Sequence, residues 1–374
     1  MRILTLCEFY PRDRSDWKGV FIRDYVNGLK PHTDVQVLCS KPRGESRELS
    51  TIEQEGTSIT QHVTAARSTG PLKKWWYLRK WEKEAMRIAS KMERPDIIHV
   101  HNSVIQGRLA LRLAMAWKIP FVVSEHTGPF SSIADHVLKR RRAKYVMERA
   151  NLVLAVSDRT RKEIQNADIA PKNLEVMYNP VDTLIFKAGL QGPHGTLAFV
   201  SRMDDFKGAL RTVKAFQRLE RDDLQLKMVG SGQEYDAVQS YIIDNNLGGR
   251  VMMYGTLSKA EIYGVLKRSD MLIFPSKHES FGLVAAEAWA TGIPVVIGEN
   301  CGAAELVETH GEILGEKCVA EDVESIKIAV ENVLARGIEE GREKRRMIIE
   351  EELSIGAFGR RLWGKMEEII KQGK

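Results

Sequence analysis

The chain has 374 residues, which at about 150 residues per domain points to two or three domains. Lys and Arg number 56 against 50 Asp and Glu, a net charge of +6, with 43% hydrophobic and 28% charged residues. That balance excludes a disordered, collagen-like or coiled-coil chain and supplies apolar material for more than one core. The mild positive excess fits phosphorylated ligands or an anionic membrane surface without singling out either. Cys7, Cys39, Cys301 and Cys318 are far apart and form no C-x-x-C. Reduced thiols are therefore expected, not a zinc cluster or a disulfide framework.

The first apolar run, residues 3–7, is interrupted by Glu8 and followed by Pro11, Arg12, Asp13 and Arg14. It is too short for a secretory core and reads as a buried first strand. No window approaches the roughly 20 apolar residues of a spanning helix, so a soluble or at most peripheral protein is expected. Further β-branched runs follow at 35–39, 97–101, 121–124 and 152–156, then at 197–200, 226–229, 251–254, 271–274 and 295–297. Helix-length segments rich in Ala, Leu, Arg, Lys and Glu separate many of them. The alternation predicts an α/β fold, with parallel sheets covered on both faces.

Residues 72–83 mix Trp75, Trp76, Tyr77 and Trp81 with Lys and Arg. Such a helix either lies in a membrane interface or buries Trp75, Leu78 and Trp81 against its own sheet, and the second is the commoner arrangement. His99 and His101 alternate near the end of one strand run. His126 stands just past the next run, in a loop that reaches Gly128. The basic run 139–144 is either a solvated helix face or an attractor for the phosphate of a lipid-linked acceptor; no nucleic-acid module accompanies it.

Asn179-Pro-Val-Asp182 ends the first strand series, and the stretch 187–196 carries Gly189, Gly192, Pro193 and Gly195, a linker composition. The expected division is a domain 1–185, a domain 186–355 and a terminal helix 356–374 that crosses back to the first domain. The helix carries Phe358, Leu362, Trp363 and Met366 on one stripe. Two doubly wound domains in series would face each other across a cleft at the carboxyl ends of their strands, where ligands of such sheets bind.

In the second half, residues 271–274 read as a strand, 275–280 as a loop, and a helical pattern runs from Gly282 to Gly292. The start of that helix suits a diphosphate, because its first N–H groups and its dipole both favour an anion. Glu279 precedes the helix and Glu287 lies inside it. By spacing alone the pair is equally readable as a surface and a capping glutamate. Arg202 and Lys207 bracket another strand-to-helix loop and, if not merely solvated, would neutralise a diphosphate. Gly230 and Gly232 allow a tight turn near a ligand, but Tyr235 stands where a third fingerprint glycine would be, which disfavours a nicotinamide site.

Taken in order, these stretches resemble the retaining family 4 glycosyltransferases of GT-B fold. The resemblance rests on Glu279, seven residues, then Glu287, with Ser280-Phe281-Gly282-Leu283 between, and on Arg202 with Lys207-Gly208, Gly230-x-Gly232 and Asn179-Pro-Val-Asp182. It implies that Arg202 and Lys207 bind the donor diphosphate with the amides of Phe281 to Leu283. By the same resemblance Glu287 holds the ribose, Glu279 contacts donor-sugar hydroxyls beside Ser280, and the base lies near Tyr254 and Gly255. It makes His126 the histidine that meets the donor sugar, and matches His101 more closely than His99, which reads as structural. Lys18-Gly19 stands where the family often has two glycines, a departure that leaves Gly19 to approach the transferring sugar.

The implied activity is retaining hexosyl transfer from a nucleotide-diphosphate sugar to a glycan, lipid-linked or small-molecule acceptor, in bacterial surface polysaccharide or glycolipid assembly. No cofactor or metal is expected, no nucleic acid, and a cytoplasmic location, at the inner face of the plasma membrane if the protein is peripheral on anionic lipid. A sugar-nucleotide epimerase of related fold and a non-catalytic sugar-nucleotide-binding protein are the rivals.

Overall fold

The computed structural model describes residues 1–11, 19–44, 48–65, 71–187, 195–337 and 341–372. Most of the linker-like stretch 187–196, and Lys18, lie outside them. The chain forms two compact units, one of Met1–Tyr178 with Phe358–Lys374 and one of Asn179–Ala357. The main stretch of the first unit therefore ends at Tyr178, a few residues before the expected 185. Val181 is the reason: it pairs with Ser354, and its N–H bonds to Leu353, so the segment after Tyr178 is tied into the second unit.

In the first unit the strands are β1 (Arg2–Cys7), β2 (Asp34–Gly44), β3 (Glu48–Gln54), β4 (Thr57–Ala65), β5 (Ile97–His101), β6 (Phe121–Glu125), β7 (Leu152–Ala155) and β8 (Leu174–Val176). They lie in the order β3-β4-β2-β1-β5-β6-β7-β8, all parallel except the β3–β4 pair. The helices are α1 (Val20–Leu29), α2 (Pro71–Ala89), α3 (Gln106–Trp117), α4 (Ser131–Ala134), α5 (Val137–Met147) and α6 (Asp158–Asn166).

The central strands are buried on both faces, which is why they read as continuous apolar runs. Ile3, Val35 and Val37 face one core with Tyr25, and Leu4, Leu6 and Val100 face the other with Trp81. The β3–β4 hairpin was not expected from the sequence. Its β3 alternates between half-buried and exposed residues, and it turns at Glu55 and Gly56, both with positive φ.

Trp81 of α2 is buried, and its Nε1–H donates to Ser40 Oγ at 2.7 Å. Leu78 is half-buried and Trp76 exposed, so α2 covers its own sheet at Trp81 but not at Trp76. The Trp75 side chain lies outside those described.

The second unit contains β9 (Thr196–Val200), β10 (Gln225–Val229), β11 (Val251–Gly255), β12 (Met271–Phe274), β13 (Val295–Gly298) and β14 (Gly315–Cys318). They form one parallel sheet ordered β11-β10-β9-β12-β13-β14. Its helices are α7 (Ala209–Gln217), α8 (Tyr235–Asp244), α9 (Lys259–Leu266), α10 (Leu283–Ala290), α11 (Ala304–His310), α12 (Val323–Arg336) and α13 (Arg342–Leu353). Short β14, Gly-Glu-Lys-Cys, has no β-branched residue to announce it.

The last helix, α14 (Ile355–Gln372), sends Phe358, Leu362 and Met366 into the first unit's core beside Tyr25. Phe358 meets Tyr25 edge-on, with centroids 4.4 Å apart. The two helix backbones touch at glycines, since a Cβ built on Gly359 would stand 1.9 Å from the Gly28 carbonyl oxygen. Gly359→Ala is therefore expected to cost about 1–3 kcal/mol by overpacking, read as a lower midpoint in thermal denaturation. An unchanged midpoint would show that the helices can separate freely.

His99 sits within β5, fully buried, with Nε2 and Ser124 Oγ at 2.8 Å, and burial pushes its pKa down to about 3. The folded value lies below the unfolded one, so the neutral ring stabilises the fold above pH 6.5 and that contribution is lost as pH falls toward 3. Between pH 7 and pH 5 this one group should remove about 2 kcal/mol. His99→Gln keeps a polar side chain and should flatten that part of the stability–pH curve, measured by urea unfolding at both pH values. A slope identical to the parent's would mean that His99 is not held neutral.

Candidate functional site

In the second unit the expected residues gather where the strands end. Three loops lean on one another there, and the glycines between them explain how. A Cβ on Gly230, after β10, would stand 1.8 Å from the Ser201 carbonyl oxygen, and one on Gly232 would stand 2.4 Å from that of Met203. These glycines are required by loop-on-loop packing with the segment after β9, where the sequence suggested closeness to a ligand. Gly230 N–H also donates to the Gly255 carbonyl at 2.7 Å, which brings in the loop after β11. Tyr254 beside it is 43% exposed, with its hydroxyl 3.8 Å from Met252 Sδ.

Lys207 and Glu279 form an ion pair between the loops after β9 and β12. Both side chains are largely shielded, at 13% and 22% exposed. Asp204 shapes the Lys207 turn, accepting from Lys207 N–H through Oδ1 at 3.1 Å. A second tie runs between the same loops: Lys277 Nζ donates to Asp205 Oδ2 at 2.7 Å, and Lys277 N–H donates to the Phe206 carbonyl. Hydrogen bonds from Lys277 and then Arg211 hold the Asp205 carboxyl below its ordinary range. Arg202 is turned to solvent, 73% exposed, with Asp204 at 3.2 Å. Of the two expected cations, then, only Lys207 is fixed by a partner glutamate.

Helices α7 and α10 both begin from a left-handed glycine, Gly208 at φ 77° and Gly282 at φ 103°. The first N–H groups of a helix have no acceptor within it. At α7 the Leu210 N–H already faces Glu234 Oε2 at 3.5 Å, so the end of the sheet offers chiefly the opening amides of α10 and a lysine ammonium, a combination that attracts an anion. Phe281 contributes backbone only, because its side chain is 1% exposed and sits in the core. Ser280 and Leu283 are half-buried beside it. Glu287, one turn into α10, lies 3.9 Å from Lys259 Nζ and is 15% exposed.

The loop holding Glu279 rests on a segment that the sequence did not single out. Glu279 pairs with Cys301, Gly302 N–H donates to the Glu279 carbonyl at 3.0 Å, and Ala303 N–H donates to the Phe281 carbonyl at 2.7 Å. The signal available was the Asn-Cys-Gly-Ala turn just past β13.

In the first unit Gly19 is the left-handed residue that opens α1, and two residues on the Phe21 ring lies 4.8 Å from that of His126. Gly19 and His126 are thus brought to the same end of that sheet. His126 Nε2 and His101 Nδ1 are 2.9 Å apart, and Asn102 Oδ1 accepts from His126 N–H at 3.1 Å. His101 is 1% exposed. Burial, then the neighbouring His99 and His126 rings, holds it well below the ordinary histidine range. One proton lies across that contact, so the tautomer of His101 is tied to whether the His126 ring donates or accepts there.

Glu125 is a residue that sequence reasoning missed. Fully buried, it accepts from Ser103 N–H and Oγ at 3.0 and 2.6 Å, and from Thr127 N–H and Oγ1 at 3.0 and 2.6 Å. Four donors make the buried carboxylate tolerable and pin the loops on either side of His126.

Among the described residues no cluster of three or more His, Cys, Asp or Glu could hold a metal ion, and no helix is long and apolar enough to cross a membrane.

Comparison with known proteins agrees with this arrangement. A glycogen synthase from Mycobacterium tuberculosis is 27% identical over 257 residues, 64% of this chain and 60% of that protein. The chain thus matches somewhat under two thirds of that relative's length. The solved sucrose-phosphate synthase from Thermosynechococcus elongatus matches all of both chains with a TM-score of 0.79 at 17% identity. Anabaena HepE, solved with UDP and glucose, matches 98% of this chain and 100% of its own with a TM-score of 0.73 at 17% identity. The fold is therefore GT-B. The Glycosyltransferase Family 4 model matches residues 19–183, the Glycosyl transferases group 1 model matches residues 181–352, and the chain belongs to the family 4 glycosyltransferases.

Proposed function

We propose that this protein moves a hexosyl group, with retention of anomeric configuration, from a nucleotide-diphosphate sugar to a hydroxyl of a glycan, lipid-linked or small-molecule acceptor. The observation that carries the reading is the Lys207–Glu279 pair, set between two helices that each begin from a left-handed glycine. As the anomeric bond breaks, negative charge grows on the departing diphosphate. Lys207, Arg202 and the opening amides of α10 oppose it where it develops. Glu287 accepts from the ribose hydroxyls, Glu279 and Ser280 contact the donor sugar, and the base lies by Tyr254. Gly230 and Gly232 set the loop beside the diphosphate. His126, oriented by His101, meets a donor-sugar hydroxyl on the Gly19 side.

The acceptor oxygen forms its bond to the anomeric carbon on the face that the diphosphate leaves. The leaving phosphate oxygen takes the acceptor proton. As proposed, the step takes the nucleotide sugar as donor substrate and uses no resident metal or cofactor. The expected setting is polysaccharide or glycolipid assembly.

Thermal-shift screening against UDP, GDP and ADP sugars identifies the donor class, since a ligand bound only to the folded chain raises the melting temperature. UDP sugars come first, because the Anabaena protein of like fold was solved with UDP. With the donor known, Glu287→Ala should weaken donor binding by roughly tenfold or more. Lys207→Ala with Arg202→Ala should lower transfer by about 10²–10³. A near-normal rate in that double variant would remove the diphosphate assignment. An inverted anomeric proton in the product's NMR spectrum would refute retention, and free altered sugar released from donor alone would indicate an epimerase.

A further inference from the structure

The first unit carries a surface made of none of the residues assigned above to the donor site. Helix α3 presents Arg108, Leu111, Arg112 and Met115, one stripe at i, i+3, i+4 and i+7. Helix α5 presents Leu138, Arg141, Arg142 and Tyr145 at the same spacing. The two stripes line one groove of about 610 Å³. Arg108 and Arg142 also line a smaller cleft with Leu78 and Arg79, which extends the surface onto α2.

We propose that this α2–α3–α5 face docks on an anionic lipid bilayer. Three observations converge on that occupant.

The first is misplaced apolar surface. Met115 is 66% exposed, Leu138 60%, Val137 54% and Tyr145 51%, with Trp76 of α2 at 56%. Single exposed hydrophobics are ordinary, but a group on adjoining helices needs a reason.

The second is charge. The one carboxylate in these clefts, buried Glu82, is consumed: its two oxygens each take an arginine, Arg108 and Arg112, at 2.9 Å. Arg141 and Arg142 have no carboxylate partner among the described residues, and Lys139 and Arg140 stand beside them, exposed.

The third is chemical form. Aliphatic and aromatic tips set among guanidinium groups match a layer with phosphate at its surface and acyl chains just beneath. A second copy of the chain is disfavoured, because a symmetric contact through this face would set arginine against arginine.

Docking of this kind needs no nucleotide and is separable from the donor site. The test uses the full chain and sedimentation with two vesicle types, pure phosphatidylcholine and an equal mixture with phosphatidylglycerol. The expected result is binding to the mixed vesicles only, weakening as salt is raised. Arg141→Glu with Arg142→Glu should lower vesicle affinity by on the order of tenfold or more. Met115→Ser with Leu138→Ser should do the same at constant net charge. Both pairs are surface changes, and unchanged circular dichroism and melting temperature verify folding independently of any donor. The proposal is overturned if the parent chain ignores phosphatidylglycerol, or if both double variants bind as the parent does. It is also overturned if the parent proves dimeric by light scattering and Leu138→Ser makes it monomeric without affecting lipid, which would assign the face to self-association.

Discussion

Each sheet of this protein is wound outward from its first strand, and that constraint decides where chemistry can occur. In the second unit the order β11-β10-β9-β12-β13-β14 reverses between β9 and β12. Right-handed crossovers carry the chain away from β9 and β12 on opposite faces of the sheet, and the loops that follow those strands are bridged by the Lys207–Glu279 and Lys277–Asp205 pairs. Lys207 comes from one of those loops and Glu279 from the other. The first unit reverses between β1 and β5; Gly19 follows β1 and His101 is the last residue of β5. The same winding rule thus brings each unit's candidate residues to one end of its sheet from stretches far apart in sequence.

What was legible in the sequence follows from the same physics. Strands buried on both faces are mostly apolar, so β1, β5, β6, β9 and β12 announce themselves. Strand β3 carries Glu, Ser and Thr because alternate residues of it are exposed, β4 is largely buried yet carries Thr, Gln and His, and β14 is a four-residue strand with two charges. None of the three is an unbroken apolar run. Spacing together with the family resemblance picked out Glu279, Lys207 and His126, but not what holds them. The Cys301–Ala303 support and the Glu125 network are contacts of backbone and of polar atoms distant along the chain, to which local pattern is blind. Gly230 was legible as special, but the Ser201 carbonyl that forbids its side chain was not.

The modest net charge divides into unlike populations. Lys207 is shielded and paired, whereas Arg141 and Arg142 are set among exposed apolar side chains without a counter-ion among the described residues. A whole-chain charge of +6 cannot distinguish them. Desolvation does: a shielded cation persists only with a partner fixed in place, while cations on a helix face stay hydrated and act through long-range, salt-sensitive attraction.

That distinction bears on how Lys207 is prepared for an anion. An unpaired ammonium at 13% exposure would pay heavily for burial, and Glu279 offsets that cost before any ligand arrives. The ammonium has three N–H donors, and a carboxylate oxygen uses one. A diphosphate can therefore bind Lys207 without displacing Glu279, and the side chain loses little further freedom when it does. Glu279 is itself tied through its backbone to Cys301 and Gly302, so the orientation it imposes is rigid. A carboxylate beside an anion site looks unfavourable by charge alone. It becomes favourable once its work is to hold the cation still, because a donor fixed in advance has no reorganisation left to make as charge develops on the leaving group.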